Sequence, residues 1–306
     1  MKAFVKSDPA GSSITATEVP APEVDTDDLL VRMHAVGVGI HDSYFLPADA
    51  GPSFPIGMEG AGVVEQVGPG VTQHRPGDRV AFVNAMEAKG GTWAEYAVVN
   101  TNSLILPVPD GLDFVEAAAL PVAGNTILRT LAALPGMQSG SSLFVAGGAG
   151  AIGSLAIQIA RQRGWRVAAS ASAHNHDYMR SLGAELTVDY HDSDWPEQVR
   201  GWLGEGVDAA IAIHPGTSTE TMRAVKDGGT IVPVSGDSMA VERGIRAGMI
   251  AYQADVSREL DQLMADVVSK AIHLEIERVY PFDEAADALA RVQTRHARGK
   301  LVLRLP

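Results

Sequence analysis

Two rhythms divide the chain. Over the first hundred residues the apolar positions form short, valine-rich runs that partly alternate with polar ones. These are LLVRMHAVGVG (29–39), GAGVVEQVG (60–68), DRVAFV (78–83) and WAEYAVV (93–99). A period near two predicts β-strands, and the glycine, proline and aspartate of GPGVTQHRPGD (68–78) supply turn chemistry between them. A compact, largely antiparallel β domain is the expected product. After Pro121 the rhythm changes. NTILRTLAALPGM (125–137) has helical spacing, then SSLFVA (141–146) reads as a strand and GSLAIQIARQRG (153–164) as a helix. The alternation continues through RVAASA (166–171), NHDYMRSLGA (175–184), ELTVDY (185–190), WPEQVRGWLG (195–204), VDAAIAIH (207–214), TSTETMRAVKDGG (217–229) and TIVPVS (230–235). MIAYQ (249–253) and a helix over 258–271 complete the run. Strands alternating with helices predict a parallel sheet covered on both faces. The uninterrupted apolarity of SSLFVA and VDAAIAIH fits strands buried on both sides. The last thirty residues read as strand, helix, strand, and are expected to fold back onto the N-terminal domain.

Composition narrows the partners. With 24 lysines and arginines against 37 acids the net charge is −13, which disfavours nucleic acid and anionic membrane. No apolar run approaches the ~18–20 residues of a membrane span, and MKAFVKSDPAG has no apolar core of a signal peptide. The chain has no cysteine, so disulfides, thiolate metal sites and a cysteine nucleophile are excluded, and a cytoplasmic location is permitted.

The most informative stretch is SSLFVAGGAGAIGSLAIQIA (141–160), where a strand runs into Gly147, Gly148, Gly150 and Gly153 and then a helix. Residues 148–153 match G-x-G-x-x-G. Glycines there let backbone N–H groups approach a diphosphate, and the helix N-terminus adds partial positive charge. In a repeating β–α run this predicts a dinucleotide site; an ordinary strand–turn–helix corner is the alternative. An unphosphorylated ribose usually calls for an acid at the end of the next strand. Here Ser170, Ser172, His174 and Asn175 come before the first acid, Asp177. That favours NADPH over NADH, although no arginine or lysine stands in the loop and Ser172 could simply cap the next helix.

GIHDSYF (39–45) places His41, Asp42 and Tyr44 within four positions, so a metal site, an acid–base site and a polar turn are all open. Among the other histidines His34, His74, His191, His273 and His296 read as surface or satisfied side chains. His214 stands out, because it closes a predicted parallel strand, where ligand crevices form.

Together these pieces resemble the medium-chain dehydrogenase/reductase superfamily, in its zinc-free quinone oxidoreductase-like branch. The carriers are FPIGMEGAGVVEQVGPGVTQHRPGDRVA (54–81), GGTWAEYAVV (90–99), AAALPVAGNT (117–126), the glycine loop, RSLGAELTVDY (180–190), DGGTIVPVSG (227–236) and HARGKLVL (296–303). The resemblance spans essentially the whole chain. It implies an α/β chain: a GroES-like β-rich domain from residues 1–120 and 275–306, a Rossmann domain with a doubly wound parallel sheet over 121–274, a cofactor in the interdomain cleft and a homodimer. By the same resemblance Gly147, Gly150, Ile152 and Gly153 hold the diphosphate, Thr126 and Val234, Ser235 and Gly236 meet the nicotinamide end, and Tyr190 lies beside the adenine. Ser172, His174 and Asn175 occupy the 2′-phosphate positions, where relatives often carry arginine or lysine.

Zinc-dependent cousins take a cysteine where this chain has Gly39 and a histidine where it has Met58, so no metal is expected. His41, Asp42 and Glu59 match no recognised ligand spacing, and Glu59 reads as a structural hydrogen-bonding group. The implied reaction is hydride transfer from NADPH to a quinone or an α,β-unsaturated ketone. Tyr44 is the catalytic candidate, able to donate to the developing oxyanion, with a merely packed tyrosine as the alternative. Gly39, His41, Leu46, Met86 and His214 are the expected substrate-cleft residues. Gly39 replaces an asparagine of relatives and Leu46 an arginine, which points to a more apolar substrate. An enone or enoyl reductase of a biosynthetic pathway, and an NADPH-binding sensor, structural or tailoring protein, are the competing readings.

Overall fold

The computed structural model describes residues 1–8, 13–85, 87–134 and 136–306. Met86 therefore lies outside the described residues. In chain order, β1 (Lys2–Lys6), β2 (Ile14–Glu18), β3 (Asp28–Val38), β4 (Glu59–Val67), β5 (Arg79–Val83), β6 (Tyr96–Asn100) and β7 (Leu104–Pro107) come first. Helices α1 (Phe114–Ala118) and α2 (Pro121–Ala132) lead into β8 (Ser142–Ala146), α3 (Ala151–Gln162), β9 (Arg166–Ser170), α4 (His176–Leu182) and β10 (Leu186–Val188). Next are α5 (Trp195–Trp202), β11 (Val207–Ala212), α6 (Ser218–Ala224), β12 (Val225–Pro233) and β13 (Arg246–Ala247). The chain closes with α7 (Ser257–Val268), β14 (Ile276–Pro281), α8 (Ala285–Gln293) and β15 (Lys300–Arg304).

These elements gather into two compact units. The first comprises Met1–Val122, Asp261–Ser269 and Ile276–Pro306, the second Ala123–Leu260 and Lys270–Glu275. Most of α7, expected in the nucleotide-binding half, thus belongs with the first unit.

In the first unit a seven-stranded sheet runs in the order β14-β15-β3-β4-β5-β7, with β6 also paired to β3. All its ladders are antiparallel except β14–β15. The C-terminal strand returns to the N-terminal half through Leu301↔Val38 and Leu303↔Val36. Phe4, Ile56, Phe82, Trp93, Leu289 and Leu303 share its core. The hydrophobic pattern did not disclose β2: its sequence ITATE buries little, and its ladder with β1 holds it in place.

The second unit carries a six-stranded sheet in the order β10-β9-β8-β11-β12-β13, parallel throughout. This is the doubly wound order, in which the direction of winding reverses between β8 and β11. β8 is buried along its whole length, as expected for a strand covered on both faces. Three boundaries differ from the sequence pattern. β11 stops at Ala212, so His214 lies in the loop beyond the strand rather than at its end. The helix expected over 217–229 ends at Ala224, because Val225 already pairs with Val207. Pairing then jumps to Ala209↔Thr230, so residues 226–229 bulge out, with Gly228 at φ 73°. MIAYQ forms no strand; the last ladder lies earlier, at Arg246–Ala247.

Candidate active site

The glycine loop sits at the carboxyl end of β8, at the switch point of the second unit's sheet. Gly147 adopts φ 95°, a left-handed conformation that favours glycine, and the Gly147 and Gly148 N–H groups donate to the Ser170 carbonyl. A Cβ on Gly153 would lie 2.1 Å from the Gly147 carbonyl oxygen, so only glycine lets the first turn of α3 close on the loop. Gly150 differs: a Cβ there would meet nothing nearer than 3.9 Å. Gly150 is the N-cap of α3, and no side chain caps the helix. Packing does not require a glycine at this position. The space a side chain would fill lies over the amide-rich helix start, which is the chemistry a diphosphate needs. Ile152 follows in the first helical turn.

Neighbouring loops are knitted by two aspartates, Asp237 and Asp189. Asp237 Oδ2 accepts from the Gly216 N–H at 2.8 Å and the Ser218 hydroxyl at 2.9 Å, joining the loop after β11 to the loop after β12. Burial alone would raise the Asp237 carboxyl, but these donors outweigh it and hold it below its ordinary value. That fixes Val234 and Ser235, whose N–H groups both donate to the Ala212 carbonyl, and Gly236 at φ 79°. His214 lies against the glycine loop: a Cβ on Gly147 would be 3.3 Å from its ring. Asp189 is the second. It accepts from the His191 N–H and ring, and from the Ala173 N–H at 3.0 Å, and the His191 backbone donor leads in lowering its carboxyl.

Through that knot the ends of β9 and β10 come together. The Ser172 hydroxyl donates to the Tyr190 phenol oxygen at 3.1 Å and makes no helix-capping bond, so capping does not account for it. Asn175 Nδ2 lies 3.2 Å from His174 Nε2, and the Tyr190 ring faces His191 at 4.2 Å. Ser172, His174, Asn175 and Tyr190 thus form one cluster. Thr126 lies on α2, where its carbonyl accepts the Thr130 hydroxyl at 2.7 Å. A depression of about 590 Å³ opens elsewhere, beside Arg161, Ser181, Lys270 and His273. Arg161 and Ser181 sit in the last turns of α3 and α4, whose C-terminal dipoles account for cations there.

In the first unit, β3 ends in a tight turn. The Asp42 carboxylate accepts the Gly39 N–H at 2.7 Å, and the His41 carbonyl accepts N–H groups from Tyr44 at 3.1 Å and Phe45 at 2.8 Å. Asp42 is 2% exposed, whereas Tyr44 is 50% exposed and meets His41 edge-on with ring centroids 5.2 Å apart. Leu46 packs against the unit's core. Behind the turn Glu59 is buried; it accepts the Val122 N–H at 2.7 Å and forms an ion pair with buried Lys300. This is the structural role read for Glu59. Burial pushes the Asp42 carboxyl up to about 7, the nearby Glu59 charge adding to the rise while Lys300 and the Gly39 N–H oppose it. Burial also lowers the His41 imidazole, with help from the Arg295 charge. Among the described residues no cluster of three or more His, Asp and Glu is arranged to hold a metal ion.

Residues 25–110 match the family model of the alcohol dehydrogenase GroES-like domain, and residues 182–303 that of zinc-binding dehydrogenases. The NADPH-dependent alkenal/one oxidoreductase, chloroplastic, of Arabidopsis thaliana is 32% identical over 99% of this chain and 79% of its own length. The chain belongs to the medium-chain dehydrogenase/reductase superfamily. Within that superfamily it falls in the zinc-free quinone oxidoreductase-like branch. The 2-methylene-furan-3-one reductase of Solanum lycopersicum is 29% identical over 99% of the chain and 79% of that relative. Among solved structures, the quinone oxidoreductase of Coxiella burnetii superposes with a TM-score of 0.85 at 27% identity, covering 100% of this chain and 99% of the other. Membership in this medium-chain dehydrogenase/reductase branch accounts for a GroES-like unit built from both chain ends and a Rossmann unit made from the middle.

Proposed function

We propose that this protein is a zinc-independent, NADPH-dependent oxidoreductase that reduces a quinone or another electron-poor conjugated carbonyl compound. The observation that carries the reading is the uncapped start of α3 under an open Gly150, at the switch point of a doubly wound sheet. Relatives that reduce alkenals, enones and quinones support the substrate class.

The second unit's residues fit the cofactor. Gly147 and Gly150 would let the diphosphate approach the loop, and the backbone N–H groups of Ile152 and Gly153 in the first turn of α3 would hold it, with the positive end of that helix behind them. Tyr190 offers a face to the adenine, and Ser172, His174 and Asn175 offer donors to a 2′-phosphate. Thr126, Val234, Ser235 and Gly236 serve the nicotinamide end, and Asp237 keeps that loop in place. NADPH supplies the hydride. The 39–46 turn serves the substrate: Tyr44 donates to the oxyanion that grows as the conjugated carbonyl is reduced. Gly39, His41, Leu46, Met86 and His214 are the proposed substrate-side residues. A delocalised acceptor spreads its developing charge, so a hydroxyl donor and exclusion of water are the help it needs from the protein.

Following NADPH absorbance across a panel of quinones and enones tests the reading, with oxidation expected on at least one class. Cofactor binding without oxidation of any acceptor would favour a sensor, structural or tailoring role. A saturated ketone rather than a quinol as the favoured product would select the enone or enoyl reductase alternative. Calorimetric titration should show NADPH binding more tightly than NADH; the reverse would reassign Ser172, His174 and Asn175.

The same proposal includes a homodimer. β13 is bonded on one side to β12, and near it Met249 is 83% and Tyr252 66% exposed. Sedimentation of wild type and Met249→Lys tests this, a monomeric wild type being the contrary result. A cytoplasmic location belongs to the proposal too, tested by cell fractionation; no helix among the described residues is long and apolar enough to cross a membrane.

A further inference from the structure

The buried charges behind the 39–45 turn do not balance. Asp42, Glu59 and Lys300 are 2%, 2% and 7% exposed, so two carboxyl groups share one ammonium. Lys300 on β15 pairs directly with Glu59 on β4, and the second Glu59 oxygen accepts the Val122 N–H. Glu59 is therefore fully engaged. Asp42 has the remoter share of Lys300 and the repulsion of Glu59. Its own bonds are local: the Gly39 N–H donates to the carboxylate, the Asp42 N–H to the Gly39 carbonyl at 3.3 Å, and the Gly57 N–H to the Asp42 carbonyl at 3.1 Å. The Trp93 indole N–H makes a smaller favourable contribution without a hydrogen bond of normal geometry. On the turn itself His41 faces the charge of Arg295.

A carboxylate that closes a turn onto a backbone N–H holds it more tightly when ionised, because a charge-assisted hydrogen bond is about twice as strong as a neutral one. In this cluster ionisation leaves one uncompensated negative charge in the interior, which burial opposes. The turn is thus held by a group whose two protonation states are close in free energy.

We propose that Asp42 is a positioning residue: its ionised carboxylate, tied to the Gly39 amide, holds the turn that presents His41 and Tyr44, and protonation loosens that hold. Asp42 does not touch substrate in this scheme; it acts through the backbone of residues 39–45. The catalytic half of the inference rests on the reductase reading, while the conformational half stands on the cluster alone.

The test uses both halves. In wild-type protein carrying carboxyl-labelled aspartate, NMR across pH 5.5–8.5 should show Asp42, the Gly39 amide and the Tyr44 ring moving through one midpoint, near the value of about 7 that burial imposes. In Asp42→Asn the Gly39 and Tyr44 signals should lose that midpoint, while His41→Gln should keep it. For an accepted enone, wild-type kcat/KM should rise about tenfold between pH 6 and pH 8, as expected for one group with a midpoint near neutrality. Asp42→Asn should flatten that rise. A Gly39 amide with no inflection in wild type, or the same inflection in Asp42→Asn, overturns the proposal, and the labelled wild type decides even if the variant does not fold. If neither quinones nor enones turn over while the Gly39 amide still titrates through Asp42, the reductase reading falls and the hold on the turn is supported.

Discussion

The glycine loop of the second unit and the 39–45 turn of the first follow opposite designs. The loop prepares for charge without owning any: it presents backbone amides, a helix start and space over Gly150. The turn is backed by three ionisable groups, all buried, with one carboxyl in excess. A site made of backbone can receive a strongly charged ligand with little cost to its own fold. A site backed by buried charge carries a standing electrostatic load, and that load makes it sensitive to pH.

The largest effect should come from breaking the buried pair. Lys300→Met leaves Glu59 and Asp42 without their cation, and should cost about 3–5 kcal/mol in urea unfolding at neutral pH. A cost below about 1 kcal/mol would mean that the cluster is solvated and the contrast between the two regions false. Asp42→Asn should act the other way. The Asp42 carboxyl is raised from 3.8 to about 7, so between these values the unfolded chain has lost its proton while the folded protein keeps it. Stability from this group is therefore full below about pH 4, lost as pH rises towards 7, and level above. Asp42→Asn should match wild type at pH 4 and exceed it at pH 8 by on the order of 2–4 kcal/mol. Equal stability at both pH values would contradict the burial argument.

Smaller effects separate the two kinds of glycine in the loop. Gly153→Ala forces a Cβ against the Gly147 carbonyl and should cost about 1–3 kcal/mol of stability. Gly150→Ala has room, so stability should change by less than about 1 kcal/mol while NADPH affinity falls at least tenfold in calorimetry. If Gly150→Ala binds NADPH normally, the loop is a structural corner. Smallest is Ser172→Ala, which removes the hydroxyl beside Tyr190; NADPH affinity should drop by about 1 kcal/mol with NADH unchanged.

This contrast also explains what could be read from residues alone. Gly147 and Gly153 are required by local sterics, and steric demands leave a signature that spacing reveals. Most strands and helices of the second unit are legible for a similarly local reason, β13 excepted. Asp42, Glu59 and Lys300 come from three distant segments, and only the antiparallel β3–β4 and β3–β15 ladders bring those segments together. Lys300 accordingly carries no signal in the sequence, Asp42 cannot be told there from a polar turn residue, and Glu59 reads as a hydrogen-bonding group without its partner. Asp189 directly follows β10 and Asp237 lies four residues beyond β12, yet neither carries a motif of its own. An acid just beyond a parallel strand is the available signal, and it serves loop tying here rather than ribose recognition. β2 and β13 were invisible because pairing, not burial of an apolar face, defines them. Where VKDGG bulges from β12, helical spacing lost to β pairing that begins at Val225.

The most direct test of the whole account follows the hydride. NADPH deuterated at the transferred position is incubated with the protein and an α,β-unsaturated ketone, and the product is examined by mass spectrometry and NMR. The account predicts that deuterium leaves NADPH for a conjugated acceptor: an accepted enone becomes a saturated ketone with one deuterium on the carbon β to the carbonyl, and an accepted quinone is reduced to the quinol at the expense of the labelled NADPH. Recovery of unlabelled enone across a panel of such ketones, together with quinones left unreduced by the same NADPH, would contradict it.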